Sequence, residues 1–264
     1  SNRKKFFIQV FAALLLIFLG NIRLANFHGF LGLHNVNYFI GALTTLFLMI
    51  LTINAYNLID GIDGLASGLA MVAAFTFGVW FVLAQEFEYA VMSFALVGSL
   101  LGFFIYNVFG TTNKIFMGDA GSLVIGLAMS ALLVRYNQID SSPQLPIYLQ
   151  EAPAVSFAVV LVPLIDTLRV FAIRIKHGKS PFAPDTNHVH HRLLRLFGNH
   201  LKVTLTIVFV NGVFVVIAIG LNYLSINVHL QFLILVVLAL IVSYIPAVLI
   251  KRRKESSKEL VYKL

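Results

Sequence analysis

The sequence predicts an all-α polytopic membrane protein, and three observations carry that prediction. Of its 264 residues, 59% are hydrophobic and only 11% charged, where soluble domains carry roughly 25% charged residues. Mean hydropathy is +0.90, and apolar runs of about 20 residues, long enough to cross about 30 Å of hydrocarbon, recur along the chain. The Lys and Arg residues fall almost entirely at one set of helix ends. Together these exclude a soluble enzyme, a disordered tail and an ordinary nucleic-acid-binding domain. The chain has no cysteine, so it offers neither a disulfide framework nor a thiolate metal site.

About eight transmembrane helices are predicted, over residues 6–24, 37–57, 64–84, 89–108, 120–136, 153–173, 203–223 and 228–249. Alternating connections put the N-terminus, 57–64, 108–120, 173–203 and the C-terminal tail on one side. That side holds 17 of the 19 Lys and Arg residues, leaving Arg23 and Arg135 for the other. The positive-inside rule makes the rich side cytoplasmic, giving an N-in, C-in topology. The bacterial inner membrane is the expected location, with residues 1–250 as one membrane domain and 251–264 as a basic tail. The acids follow the same division. Glu86, Glu88, Asp140 and Glu151 fall in outer connections, whereas Asp60, Asp63, Asp119, Asp166 and Asp185 fall at or near cytoplasmic helix ends. No acid needs to sit at mid-membrane, where ion-coupled transporters cluster theirs. The first apolar run is too long for a signal-peptide core. Because the chain opens on Ser1 and reaches Arg3-Lys4-Lys5 at once, its natural start is expected to lie upstream.

Three clusters share the cytoplasmic side. In the first, Asn54, Asn57, Asp60 and Asp63 recur every three residues. An unbroken helix would turn the last of these to the opposite side from the first. Gly61 and Gly64 permit a break that gathers them. Amides and carboxylates together suit a hard cation or a sugar diphosphate; the same residues also fit a tight interhelical turn with Asp caps and Gly64/Gly68 packing. The second cluster, Asn113-Lys114 through Gly118-Asp119-Ala120-Gly121-Ser122, opens the fifth span. Lys114 can neutralise phosphate, and Asp119 at a helix start can hold Mg²⁺ or simply cap the helix. The third is His188-Val189-His190-His191-Arg192 with Arg174, Lys176, Lys179 and Arg195 around it. Three imidazoles in four residues invite zinc, but zinc sites normally use three or four well-spaced ligands. Imidazoles crowded with Arg and Lys fit phosphate better. Carboxylates for Mg²⁺, amides for hydroxyls and cations for phosphates suggest a nucleotide-activated compound meeting a lipid-borne acceptor.

The runs Asn54-Ala-Tyr-Asn-Leu-Ile-Asp-Gly-Ile-Asp-Gly-Leu-Ala66, Lys114-Ile-Phe-Met-Gly-Asp-Ala-Gly-Ser122 and His188-Val-His-His-Arg-Leu193 resemble the polyprenyl-phosphate N-acetylhexosamine-1-phosphate transferases. That family, glycosyltransferase family 4, includes the enzymes that start O-antigen, enterobacterial common antigen and teichoic acid linkage units. The resemblance spans about residues 4–195, and the His-x-His-His form preceded by Asp166-Thr-Leu-Arg169 looks like the sugar-1-phosphate branch. It implies transfer of N-acetylglucosamine 1-phosphate, or a related sugar phosphate, from its UDP form to undecaprenyl phosphate with release of UMP. Asp60, Asp63, Asp119 and His190 are the implied catalytic residues. Asn54, Asn57, Lys5, Lys114, His188, His191 and Arg192 are the implied substrate ligands. Asp119 is the implied ligand of Mg²⁺, with Mn²⁺ as a substitute. UDP-sugar, prenyl phosphate and the bilayer are the expected partners, nucleic acid is not, and a homodimer is left open. Lys5 and Gln9 match a Lys-x-x-x-Gln pattern that follows the family's adjacent-Asp motif. No Asp-Asp pair occurs in this chain, and the family has ten or eleven spans. About three spans are therefore expected to be missing, and the chain alone is expected to be catalytically crippled. The competing readings are an inactive relative that binds lipid or UDP-sugar, and a transporter or flippase.

Overall fold

The computed structural model describes residues 2–138, 152–178, 180 and 187–261; Asp140, Glu151, Lys179, Asp185 and Lys263 lie outside them. The described residues form ten α-helices. These are α1 (Asn2–Phe18), α2 (Tyr38–Ile59), α3 (Leu65–Leu83), α4 (Phe87–Phe109), α5 (Gly118–Tyr136), α6 (Ala152–Val159), α7 (Leu161–Lys176), α8 (Val189–Phe197), α9 (His200–Tyr223) and α10 (Val228–Val261). The protein is an all-α polytopic membrane protein. Six of the helices (α2, α3, α4, α5, α9 and α10) are long and apolar enough to cross a bilayer, and the bent pair α6–α7 reaches that length and hydropathy only when its two helices are taken together.

The eighth expected span is α1, and it is shorter than the apolar run suggests. Its 17 residues rise about 25 Å. The helix stops because Asn21 turns into the left-handed region (φ 50°) and the Ile22 amide bonds back to the Leu16 carbonyl at 3.0 Å. Just before it, the Gly20 amide makes a six-to-one bond to the Leu15 carbonyl at 3.2 Å, a form of closure common at helix ends. Hydrophobicity continues to Leu24, but backbone geometry does not.

α3 is the central helix, packed by α4, α5 and α9. Gly68, Ala70, Ala73 and Ala74 are buried along it, and such small residues let neighbouring helices approach closely where hydrophobicity alone does not drive association. The tightest approach is between α2 and α5. A Cβ at Gly126 would lie 2.6 Å from the Ile53 Cα, so any side chain there would push the two helices apart. Between α2 and α3 the chain reverses over Asp60–Gly64, with Gly64 at φ +75°. Asn107 of α4 braces this reversal. Its Oδ1 accepts the Gly64 amide at 2.6 Å, and its Nδ2 donates to the Ile115 carbonyl at 2.8 Å.

The run 153–173, expected as a single span, is instead two helices meeting at 74°. Pro163 lies in the first turn of α7, where its missing N–H is tolerated. Breaking a helix inside the membrane strands backbone groups that no water can satisfy. Asn211 of α9, fully buried, takes up both sides of the break. Its Nδ2 donates to the Val159 carbonyl at 3.0 Å, and its Oδ1 accepts the Val162 amide at 3.4 Å.

The helix ends sort onto two faces. Arg135 and Glu86 form an ion pair at one, where His28 Nε2 also lies 2.9 Å from the Asn137 carbonyl oxygen. The other, basic face holds the ends of α2, α4 and α7 with the starts of α1, α5 and α9. Asn211→Leu should destabilise the protein by roughly 1–3 kcal/mol, the cost of orphaning buried backbone groups. Thermal unfolding in detergent checks this, and an unchanged midpoint would show that the break satisfies itself.

Candidate active site

The α2–α5 contact that needs Gly126 also builds the site. Asp119, Ser122 and Gly126 lie on one face of α5, opposite Asn57 and Ile53 of α2. Asn57 Nδ2 donates to Asp119 Oδ1 at 3.1 Å and to Ser122 Oγ at 2.8 Å. From α1, the Lys5 ammonium pairs with Asp119 Oδ2. One turn deeper, Gln9 Oε1 accepts from Asn54 Nδ2 at 3.1 Å. Lys5 and Gln9, four residues apart, thus present one face of α1 to α2 and α5. Asn54 ties helices together and does not join the carboxylates.

Asp63 sits in the α2–α3 turn and is held by two further elements. Lys114 Nζ donates to its Oδ2 at 2.7 Å, and His200 Nδ1 lies 2.9 Å from the same oxygen. Thr204 Oγ1 donates to its carbonyl at 2.8 Å. Asp60, three residues earlier, has no hydrogen-bond partner among the described residues. Burial, and after it the negative charges of Asp119 and Asp63, push its pKa up from the ordinary carboxyl value to about 6.

The imidazole cluster closes onto this turn from the other side. A Cβ at Gly61 would lie 3.0 Å from His190 Nε2 and 3.7 Å from His191 Cε1. The His190 and His191 ring centres are 4.3 Å apart. His190 is 1% exposed and His188 4%, whereas His191 and Arg192 are half-buried. The acidic turn, the glycine-flanked aspartate and the imidazole segment therefore meet at one place on the basic face. His200 and Asn107 were not foreseen. A polar amide inside the otherwise apolar run 89–108 is a signal that could have flagged Asn107. Nothing in the spacing of His200 pointed to Asp63, 137 residues away.

Asp119 is the residue best placed to take a cation. Its side chain is 58% exposed and already draws a positive group, Lys5. Asp60, close enough for its charge to interact with that of Asp119, supplies a second carboxylate, and hard oxygen donors at an open face suit Mg²⁺, which is held by one or two carboxylates plus phosphate oxygens. The residues fit that ion.

Fold and site together define a polytopic membrane protein whose charged cluster gathers at one set of helix ends. Residues 1–137, just over half of the chain, match the family model described as glycosyl transferase family 4, and the chain belongs to that family. It is 32% identical over 157 residues to the undecaprenyl-phosphate alpha-N-acetylglucosaminyl 1-phosphate transferase of Yersinia pestis, an alignment covering 59% of this chain and 41% of that protein. It is 33% identical over 157 residues, with the same coverage, to the protein of that name from Escherichia coli (strain K12). It is also 36% identical over 182 residues to the decaprenyl-phosphate N-acetylglucosaminephosphotransferase of Mycobacterium leprae, covering 62% of this chain and 44% of that one. The chain thus spans less than half the length of these relatives. The family-model match ends at residue 137, before the imidazole segment, which the structure places against the acidic turn at Gly61.

A carboxyl whose folded-state pKa lies above its unfolded value costs stability while ionised, and the cost fades as pH falls through that pKa. Asp60 should therefore weaken the fold above about pH 6 and cease to do so near pH 4. In chelator-containing buffer, Asp60→Asn should unfold at a higher temperature than the parent at pH 7.5, with the difference gone by about pH 4. A gap that does not vary with pH would mean that the Asp60 charge is not the cause.

Proposed function

We propose that the protein containing this chain transfers N-acetylglucosamine 1-phosphate from its UDP form to a polyprenyl phosphate, at the cytoplasmic face of a bacterial inner membrane. The single observation supporting this is the convergence of three sequence-distant segments, seen in Asn57 on Asp119, Lys114 on Asp63 and Gly61 against His190. The printed names of the relatives agree with that chemistry, and the expected topology puts 17 of 19 basic residues on one side, the side the positive-inside rule favours as cytoplasmic.

An oxygen of the lipid phosphate attacks the phosphorus that carries the sugar. A bond forms there as the pyrophosphate P–O bond to UMP breaks, and UMP departs as an anion. Both reactants are anions, so their repulsion has to be offset before they meet. Asp119, with Asp60 beside it, would hold Mg²⁺, which supplies positive charge to the diphosphate when bound. Lys5, which pairs with Asp119, is placed to meet the acceptor phosphate. Asn57 and Ser122 keep the Asp119 carboxylate in one orientation. Lys114 and His200 hold Asp63 and with it the turn, while His191 and Arg192, more open than His188 and His190, face incoming phosphate. Fixing both reactants at one surface itself contributes to the rate.

With UDP-N-acetylglucosamine, undecaprenyl phosphate and Mg²⁺, membranes containing the intact protein should release UMP, and a chelator should stop it. Asp119→Asn should lower the rate by at least about 10²-fold, a typical loss when charge stabilisation is removed, without changing the amount of protein in the membrane. A near-normal rate in that variant would take Asp119 out of the site.

A further inference from the structure

One group in the imidazole cluster is unexplained by phosphate binding. His190 is 1% exposed, and neither of its ring nitrogens has a hydrogen-bond partner. Buried polar atoms without a partner are rare, and each one calls for a cause such as a bound water or ion. Around it stand His188 and Asp166, both 4% exposed. One donor atom from each of the three residues lies within 4.8 Å of the other two.

We propose that Asp166, His188 and His190 form a buried binding site for a divalent transition-metal ion, zinc being the best fit, separate from the cation site at Asp119. The carboxylate is already arranged for it. Asp166 Oδ1 accepts from Arg169 Nη2 at 2.9 Å and from the Val189 amide at 3.0 Å. Oδ2 is left towards the rings, 2.9 Å from His188 Nδ1 and 3.9 Å from His190 Nδ1. The second distance is too long for a hydrogen bond. Ligand atoms bound at about 2.0–2.2 Å around a tetrahedral zinc sit roughly 3.3 Å from one another, midway between these two separations. The three donor atoms, all within 4.8 Å of one another, would need only side-chain movement to close on an ion. The Arg169 and Val189 bonds resemble the outer partners that orient a metal-binding carboxylate.

Two imidazoles and one carboxylate favour a nitrogen-preferring ion over Mg²⁺, which wants oxygen. Arg169 shares the carboxylate, so the imidazoles would contribute most of the binding. Three protein ligands leave a fourth position for water or another ligand. The ion would fasten α7 to the start of α8 and hold His190 against Gly61. The sequence concealed this site because the third ligand lies 22 residues before His188. The inference does not rest on the transferase reading, and metal content tests it without reference to UMP release.

The 264-residue chain, purified in detergent and stripped with chelator, should take up close to one Co²⁺ per molecule, with the intense visible absorption of a tetrahedral ion. Zn²⁺ should abolish that absorption, and a thousand-fold excess of Mg²⁺ should leave it unchanged. His190→Asn should weaken Co²⁺ binding at least about 10²-fold, more than the loss of an outer partner costs, with its helical circular dichroism retained. Absence of bound Co²⁺ and Zn²⁺, displacement by Mg²⁺, or unaltered binding in the variant would each overturn the proposal. If the variant does not fold, the spectrum and stoichiometry of the unaltered chain decide the matter.

Discussion

The contact between α2 and α5 is the constraint on which the site depends. Gly126 lets the two backbones meet at Ile53, and that closeness puts Asn57 within hydrogen-bonding range of both Asp119 and Ser122. Were the helices a side chain farther apart, the carboxylate at the head of α5 would lose its link to the acidic turn. Lys5 on α1 would then lack the anion that positions it. Packing of small residues, an apolar matter, thus decides where charges stand.

Amides perform a second kind of positioning. Asn54, Asn107 and Asn211 are each buried or half-buried in apolar helices, and each gives at least one hydrogen bond to a neighbouring element. Inside a bilayer these groups have no water to turn to, so their bonds define geometry as well as contribute stability. At the 74° break Asn211 takes up the Val159 carbonyl and the Val162 amide. That break ends with α7 carrying Asp166 and Arg169 to the imidazole segment. Asn107 fixes the reversal at Gly64, and so holds Asp60 and Asp63 on the basic face.

Much of the fold was legible along the chain because hydrocarbon thickness sets a length, and apolar runs either meet it or do not. Residues 37–57, 64–84 and 203–223 correspond closely to α2, α3 and α9. Helix ends were less legible. The stop after Phe18 depends on the left-handed turn at Asn21, and the bend at Val160 depends on a partner from α9, neither of which hydropathy records. In the site, Asn57, Asp60, Asp63, Lys114, Asp119 and the histidines stood out as polar groups in a chain that has few. The glycines at 61 and 64 marked the reversal, since an unbroken helix could not gather groups spaced three apart.

Residue order alone pointed to a multi-pass helical protein with nearly all its basic groups at one set of helix ends and its acidic groups divided between the two, because bilayer insertion responds to local hydrophobicity and local charge. Which of those groups touch was settled only in three dimensions. Asp63 with Lys114 and His200, Lys5 with Asp119, and Asp166 with His188 join residues 22 to 137 positions apart. Such pairings follow from how helices pack and break, and packing depends on the shapes of all the helices together.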